Sequence, residues 1–145
     1  MTASLTFYNN WKAAIAEVVP RTATFKVTLH SSSYTFAATQ SVYADLTNEL
    51  STANGYTNGG ATMTSVTWGQ TSGTATFDAA DTPWTASGGS IVARRAVIRA
   101  IGTFNSQVDP LVCCILMDTT PADITVTATN TLTLQWNASG IFTLA

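Results

Sequence analysis

The stretch TATFKVTL, Thr22–Leu29, decides how this chain is read. Ala23, Phe25, Val27 and Leu29 alternate one for one with Thr22, Thr24, Lys26 and Thr28. A period of two puts the apolar set on one face of a strand and the polar set on the other, so the sequence predicts a strand with one buried and one wet face. Working outward, alternating or β-branched runs recur in ATMTSVTW (61–68), TATFDA (74–79), SIVARRAVIRAI (90–101), PLVCCILM (110–117), ITVTAT (124–129), TLTLQW (131–136) and IFTL (141–144). Turn formers separate them in NGYTNGG, TSG, SGG, TTPAD and NASG. Seven or eight short strands with frequent turns predict a mainly β chain, an antiparallel β-sandwich or jelly-roll-like barrel. No repeat or linker interrupts the pattern, so residues 1–145 read as a single domain.

Upstream of Pro20 the period changes. Phe7, Trp11, Ile15 and Val18 are spaced by four, four and three, one apolar stripe at helical period. With Ser4 or Thr6 as cap and Pro20 as stop, the spacing predicts one N-terminal amphipathic helix over about 7–19. A stripe of that size needs a sheet face or a neighbouring subunit against it, which makes Phe7, Trp11 and Ile15 candidate interface residues. A second short helix is a weaker expectation in VYADLTNEL (42–50).

Composition narrows the function. Charged residues make up 10% of the 145 residues and apolar ones 46%, against a usual charged share of about a quarter. Thr, Ser, Ala and Asn fill the difference, so the surface is expected to be hydroxyl-rich and partly covered by partners, most simply in a homo-oligomer. A net charge of −2 provides no basic face for nucleic acid. The first twenty residues lack a basic leader region, and Asn9, Asn10, Lys12 and Glu17 interrupt their apolar positions, so neither a signal peptide nor a membrane span is expected. The glycosylation triplet Asn137-Ala138-Ser139 carries little weight in that setting.

Both cysteines stand side by side in DPLVCCILMD (Asp109–Asp118). On a strand, Cys113 points with Leu111, Ile115 and Met117, and Cys114 points the other way with Val112 and Leu116. A bond between them would need a strained turn. Without C-x-x-C spacing or a nearby histidine, a zinc site has little support. Two buried, unreactive thiols are expected, on a strand whose second face must be covered by the helix or by another subunit.

No catalytic set emerges. Asp78 and Asp81 lack the flanking ligands of a calcium loop and read as turn caps. His30 in LHSSSY lacks a nucleophile elbow and reads as a surface or hydrogen-bonded residue. The glycine-rich turns lack the strand, helix and lysine of a phosphate loop. No enzyme, cofactor or metal is therefore expected. Arg94, Arg95 and Arg99 form the one charge cluster: a rim whose heads pair with acids such as Asp109 or Asp118, or else a docking patch for an acidic protein surface. Trp68, Trp84 and Trp136 with Tyr34, Tyr43 and Tyr56 read as core or interface aromatics, or as the sugar platform of a carbohydrate- or receptor-binding module.

The blocks FYNNWKAAIAE, SSSYTF, TNELSTANGYTNGGATM, ATFDAADTPWTASGGSIVARRAVI, DPLVCCILMD and LTLQWNASGIFTL together resemble a family of small virion structural proteins of tailed bacteriophages, from about Phe7 to Leu144. The resemblance implies a non-enzymatic β-sandwich built into the phage particle after assembly in the host cytoplasm. Its first implication is a capsid decoration (cement) protein that contacts the major capsid protein or other virion proteins, with a trimer favoured. A neck, collar or tail-associated protein is the alternative. The chain departs from the family at Arg95 and Arg99, where relatives tend to carry aromatic residues.

Overall fold

The computed structural model describes residues 3–9 and 22–144, and the chain is mainly β with antiparallel pairing throughout. Its centre is a five-stranded sheet of order β1-β11-β8-β2-β3, built from β1 (Ser4–Phe7), β2 (Thr24–His30), β3 (Ala61–Thr62), β8 (Arg95–Ile101) and β11 (Leu111–Leu116). β2 and β8 run opposite each other without interruption from Thr24↔Ile101 to His30↔Arg95. β8 and β11 slip by a bulge between Leu111 and Cys113, the usual way for a strand to bend and re-aim its side chains. Smaller sheets surround the centre: β4 (Thr67–Thr71), β5 (Thr74–Asp78) and β14 (Phe142–Leu144) form one, β6 (Thr82–Thr85) pairs β13 (Thr131–Leu134), and β7 (Ile91–Ala93) pairs β12 (Ile124–Val126). The short hairpin of β9 (Thr103–Phe104) and β10 (Gln107–Val108) turns through Asn105 and Ser106, both at positive φ.

Register sorts the central sheet into two faces. Leu5 and Phe7, Cys113 and Ile115, Ala96, Ile98 and Ala100, and Phe25, Val27 and Leu29 share one face. The β4–β5–β14 sheet lies against it, with Phe7 edge-on to Phe142 at 4.9 Å and Phe25 edge-on to Phe77 at 5.0 Å. The opposite face carries Thr28 and His30, Arg95, Val97 and Arg99, and Cys114. Thr28, expected in water, is fully buried together with His30. The reason is tertiary: the 31–60 segment folds back over this face, with Leu50 N–H donating to Leu29 O at 2.9 Å and Ser31 N–H to Asn48 O at 3.0 Å.

That segment also covers the second face of the cysteine strand. Tyr8 and Tyr34 lie over it with their hydroxyls 2.8 Å apart, and Tyr8 packs on Phe36 at 5.1 Å. Cover therefore comes from within the chain.

Three expectations are corrected. Ser4–Phe7 is a strand, not the cap and first turn of a helix: Leu5 and Phe7 alternate with Ser4 and Thr6, and that short period-two pattern finds an open edge on β11. Trp11, Ile15 and the rest of residues 10–19 of the proposed 7–19 helix lie outside the described residues. VYADLTNEL holds only one 3-10 turn, Tyr43–Asp45, because the Asp45 carboxylate accepts from Ser41 and Val42 N–H while Leu46 turns extended. SIVARRAVIRAI is two strands: the chain bends at Arg94, so β7 leaves the central sheet and Ile91 and Ala93 do not share a sheet with Arg95 and Arg99.

Candidate functional site

The three arginines part company in the structure. Arg94, at the bend, donates from Nε to Asp123 Oδ1 at 2.8 Å in a half-exposed pair. Asp118, considered as an arginine partner, caps the turn at Thr120. Arg99 points under the 31–60 segment and is only 5% exposed. Its Nη1 donates to Asp109 Oδ2 at 2.6 Å, its Nη2 to Gly59 O at 3.1 Å, and its guanidinium lies 3.6 Å from the centre of the Tyr43 ring. Asp109 sits at φ 50 and accepts Gly102 N–H on its other oxygen at 2.8 Å. Pairing with Asp109 follows the sequence reading, but Arg99 is buried structure rather than a surface rim. Arg95 is half-buried beside Cys114, Nη1 to Sγ 3.9 Å, and its Nε has no partner among the described residues.

Next to Arg99 a second cluster closes on Glu49. Its Oε2 accepts the Tyr43 hydroxyl at 2.5 Å; its Oε1 accepts the Tyr56 hydroxyl and Gly59 N–H, both at 2.6 Å. Burial, then the bond to the Glu49 carboxylate, pushes the Tyr43 hydroxyl up to about 12 and raises Tyr56 further, since ionising either would set two anions side by side. Gly60 follows at φ +78, where a Cβ would stand 2.2 Å from Val27 O, so only glycine lets the segment touch β2 this closely. This hub has no spacing signature; only the fold assembles it.

His30 closes the far end. Nδ1 lies 2.9 Å from Thr47 O, an obligate acceptor, so Nδ1 carries the proton. Nε2 then accepts from Thr28 Oγ1 at 2.9 Å. Burial lowers the histidine's pKa, which is the expected direction for a ring held neutral in this way. The two free thiols are buried, and desolvation pushes both up, Cys113 furthest. Each of these titratable groups is spent on fastening the 31–60 segment to the sheet or on filling the core.

The aromatic residues do not gather into one platform. Tyr34, Tyr56 and Trp84 are buried, and Trp68 packs on Phe77 at 4.7 Å. Trp136 is separate. Its backbone N–H donates to Asp81 Oδ1 at 2.9 Å and its Nε1–H to Ala80 O at 3.1 Å, so Asp81 ties together two distant segments where the sequence suggested a local turn cap. The indole lines a half-open groove of about 430 Å³ between β1, the end of β11 and the β13–β14 connection.

No group of three or more His, Cys, Asp or Glu side chains is placed to hold a metal ion among the described residues, and no described helix is long and apolar enough to cross a membrane. Comparison of the chain with protein-family models, with curated proteins and with solved structures gave no match.

Proposed function

We propose that this chain is a non-enzymatic structural protein of a tailed-phage virion, and within that role a capsid decoration protein that stabilises the head. The sequence resemblance suggests the setting. The observation that carries the mechanical part of the reading is the fastening of the 31–60 segment: Arg99–Asp109, the Glu49 hub and the His30 bridge lock a long irregular segment over a β sheet. Loops held in this way present a fixed surface, as lattice contacts require, because less freedom is lost on binding. In this reading the five-stranded sheet and the smaller sheets close into a β-sandwich, and a symmetric oligomer, a trimer by the resemblance, covers what the low-charge surface leaves exposed.

Attachment to the major capsid protein would use exposed groups. Arg94, in its half-exposed pair with Asp123, is the arginine candidate we retain, since Arg99 is consumed internally and Arg95 lies against Cys114. Purified virions should contain the protein at on the order of hundreds of copies, as a repeating capsid lattice requires. Arg94→Gln, which removes the charge without setting a second carboxylate beside Asp123, should lower capsid occupancy without changing the fold. A count of only a few copies per particle would move the protein to the neck or tail, and absence from virions would end the reading.

A further inference from the structure

We infer that the groove beside Trp136 is a binding site for a neutral saccharide. Among the described residues none that lines it carries a charged side chain, so a charged ligand would lose its hydration there without compensation. The wall is mixed: Trp136 and the partly exposed Leu5 and Ile141 supply apolar surface, while Ser4, Thr133, Gln135 and Asn137 supply hydroxyl and amide groups. A pyranose ring has the same division, with C–H bonds on its faces and hydroxyls around its edge. Its C–H groups suit the negative face of an indole, and its hydroxyls exchange hydrogen bonds with amides.

The platform is also fixed in advance. Both polar ends of Trp136 are tied to the Ala80–Asp81 segment, so the ring loses little freedom when a ligand arrives. A volume of about 430 Å³ lies toward the small end of the roughly 300–1,000 Å³ usual for small-molecule sites, enough for a short saccharide. The inference stands apart from the virion reading, because it concerns the groove of the purified chain alone.

The test is a titration of the ¹⁵N-labelled full chain with cellobiose, maltose, lactose and chitobiose at millimolar concentration, followed by NMR. The Trp136 indole signal is identified with Trp136→Phe. At least one sugar should shift that signal saturably, Trp136→Ala should weaken binding tenfold or more, and Gln135→Ala, an exposed change, should weaken it several-fold with Tm unchanged. Three outcomes overturn the inference: no shift of the Trp136 signal with any of the four sugars, wild-type affinity in both the Trp136→Ala and Gln135→Ala variants, or tighter binding of glucuronic acid than of the neutral sugars. A fourth is a peptide occupant, seen as shifts of the Leu5 and Phe7 backbone amides on adding an extended peptide while the sugars leave the spectrum unchanged.

Discussion

Replacing Arg99 by Met and Asp109 by Asn, singly and together, tests whether the arginine that looked like a surface rim is a structural pin. Removing one partner of a buried ion pair costs about 3–5 kcal/mol. Here Asp109 keeps 24% of its side-chain exposure and its bond from Gly102 N–H, against 6% exposure for the Arg99 side chain. Arg99→Met strands the better-solvated partner, so its cost should fall near the bottom of that range, about 3 kcal/mol. Asp109→Asn preserves the left-handed backbone at φ 50, which Asn tolerates well. It strands a deeper charge, but the Tyr43 face and Gly59 O remain to it. A cation–π contact of this kind is worth about 1–2 kcal/mol, which brings the loss to about 1–4 kcal/mol. The double variant should lose less than the two single losses added, by at least about 1 kcal/mol. Urea denaturation followed by tryptophan fluorescence reads this as midpoint shifts of roughly 1–2 M for each single variant. Single losses under about 1 kcal/mol with a coupling within about 0.5 kcal/mol would mean an ordinary surface pair, and the reasoning would be wrong.

Burial lowers the His30 pKa below its ordinary 6.5, so below that pH the unfolded chain binds a proton that the native state refuses. Stability should be complete above about pH 6.5 and fall below it by up to about 1.4 kcal/mol per pH unit until the folded value is reached; urea midpoints across that range check this, and His30→Gln should flatten the slope. A thiol reagent should label neither Cys113 nor Cys114 in the native protein and both after unfolding, because the groups are buried and their pKa values raised; rapid native labelling contradicts the packing. Gly59→Ala meets no neighbour and should cost only about 1 kcal/mol of left-handed strain. Gly60→Ala adds a collision with Val27 O and should cost at least about 2 kcal/mol more in thermal or chemical denaturation.

Periodicity marked most of the stretches that became strands, because alternation is a local property of consecutive side chains. It missed β6 and the β9–β10 hairpin, and it read ATMTSVTW as one strand where the chain forms the end of one sheet and the start of another. TATFKVTL, TATFDA, TLTLQW and PLVCCILM all became strands, and the adjacent cysteines were legible as buried, free thiols from alternation and an apolar run. The N-terminus shows the limit of the same method. Phe7 fits both a helical stripe with Trp11 and Ile15 and a strand alternation with Leu5, and the edge of β11, more than a hundred residues away, chose the strand for Ser4–Phe7. The buried Thr28 and His30 show it again: the polar face of β2 is buried only because the 31–60 segment returns over it. Of the polar cluster, the Arg99–Asp109 pairing was readable as charge complementarity. Glu49, Tyr43, Tyr56 and Gly59 were not, since their convergence depends on loop closure and leaves no spacing in the chain. Trp136 was visible as an aromatic residue, but only the placement of β1 and β11 beside it makes a groove. Local pattern determines which face of a strand is apolar; long-range packing decides what covers the other face, and whether an arginine there ends in water or on a carboxylate.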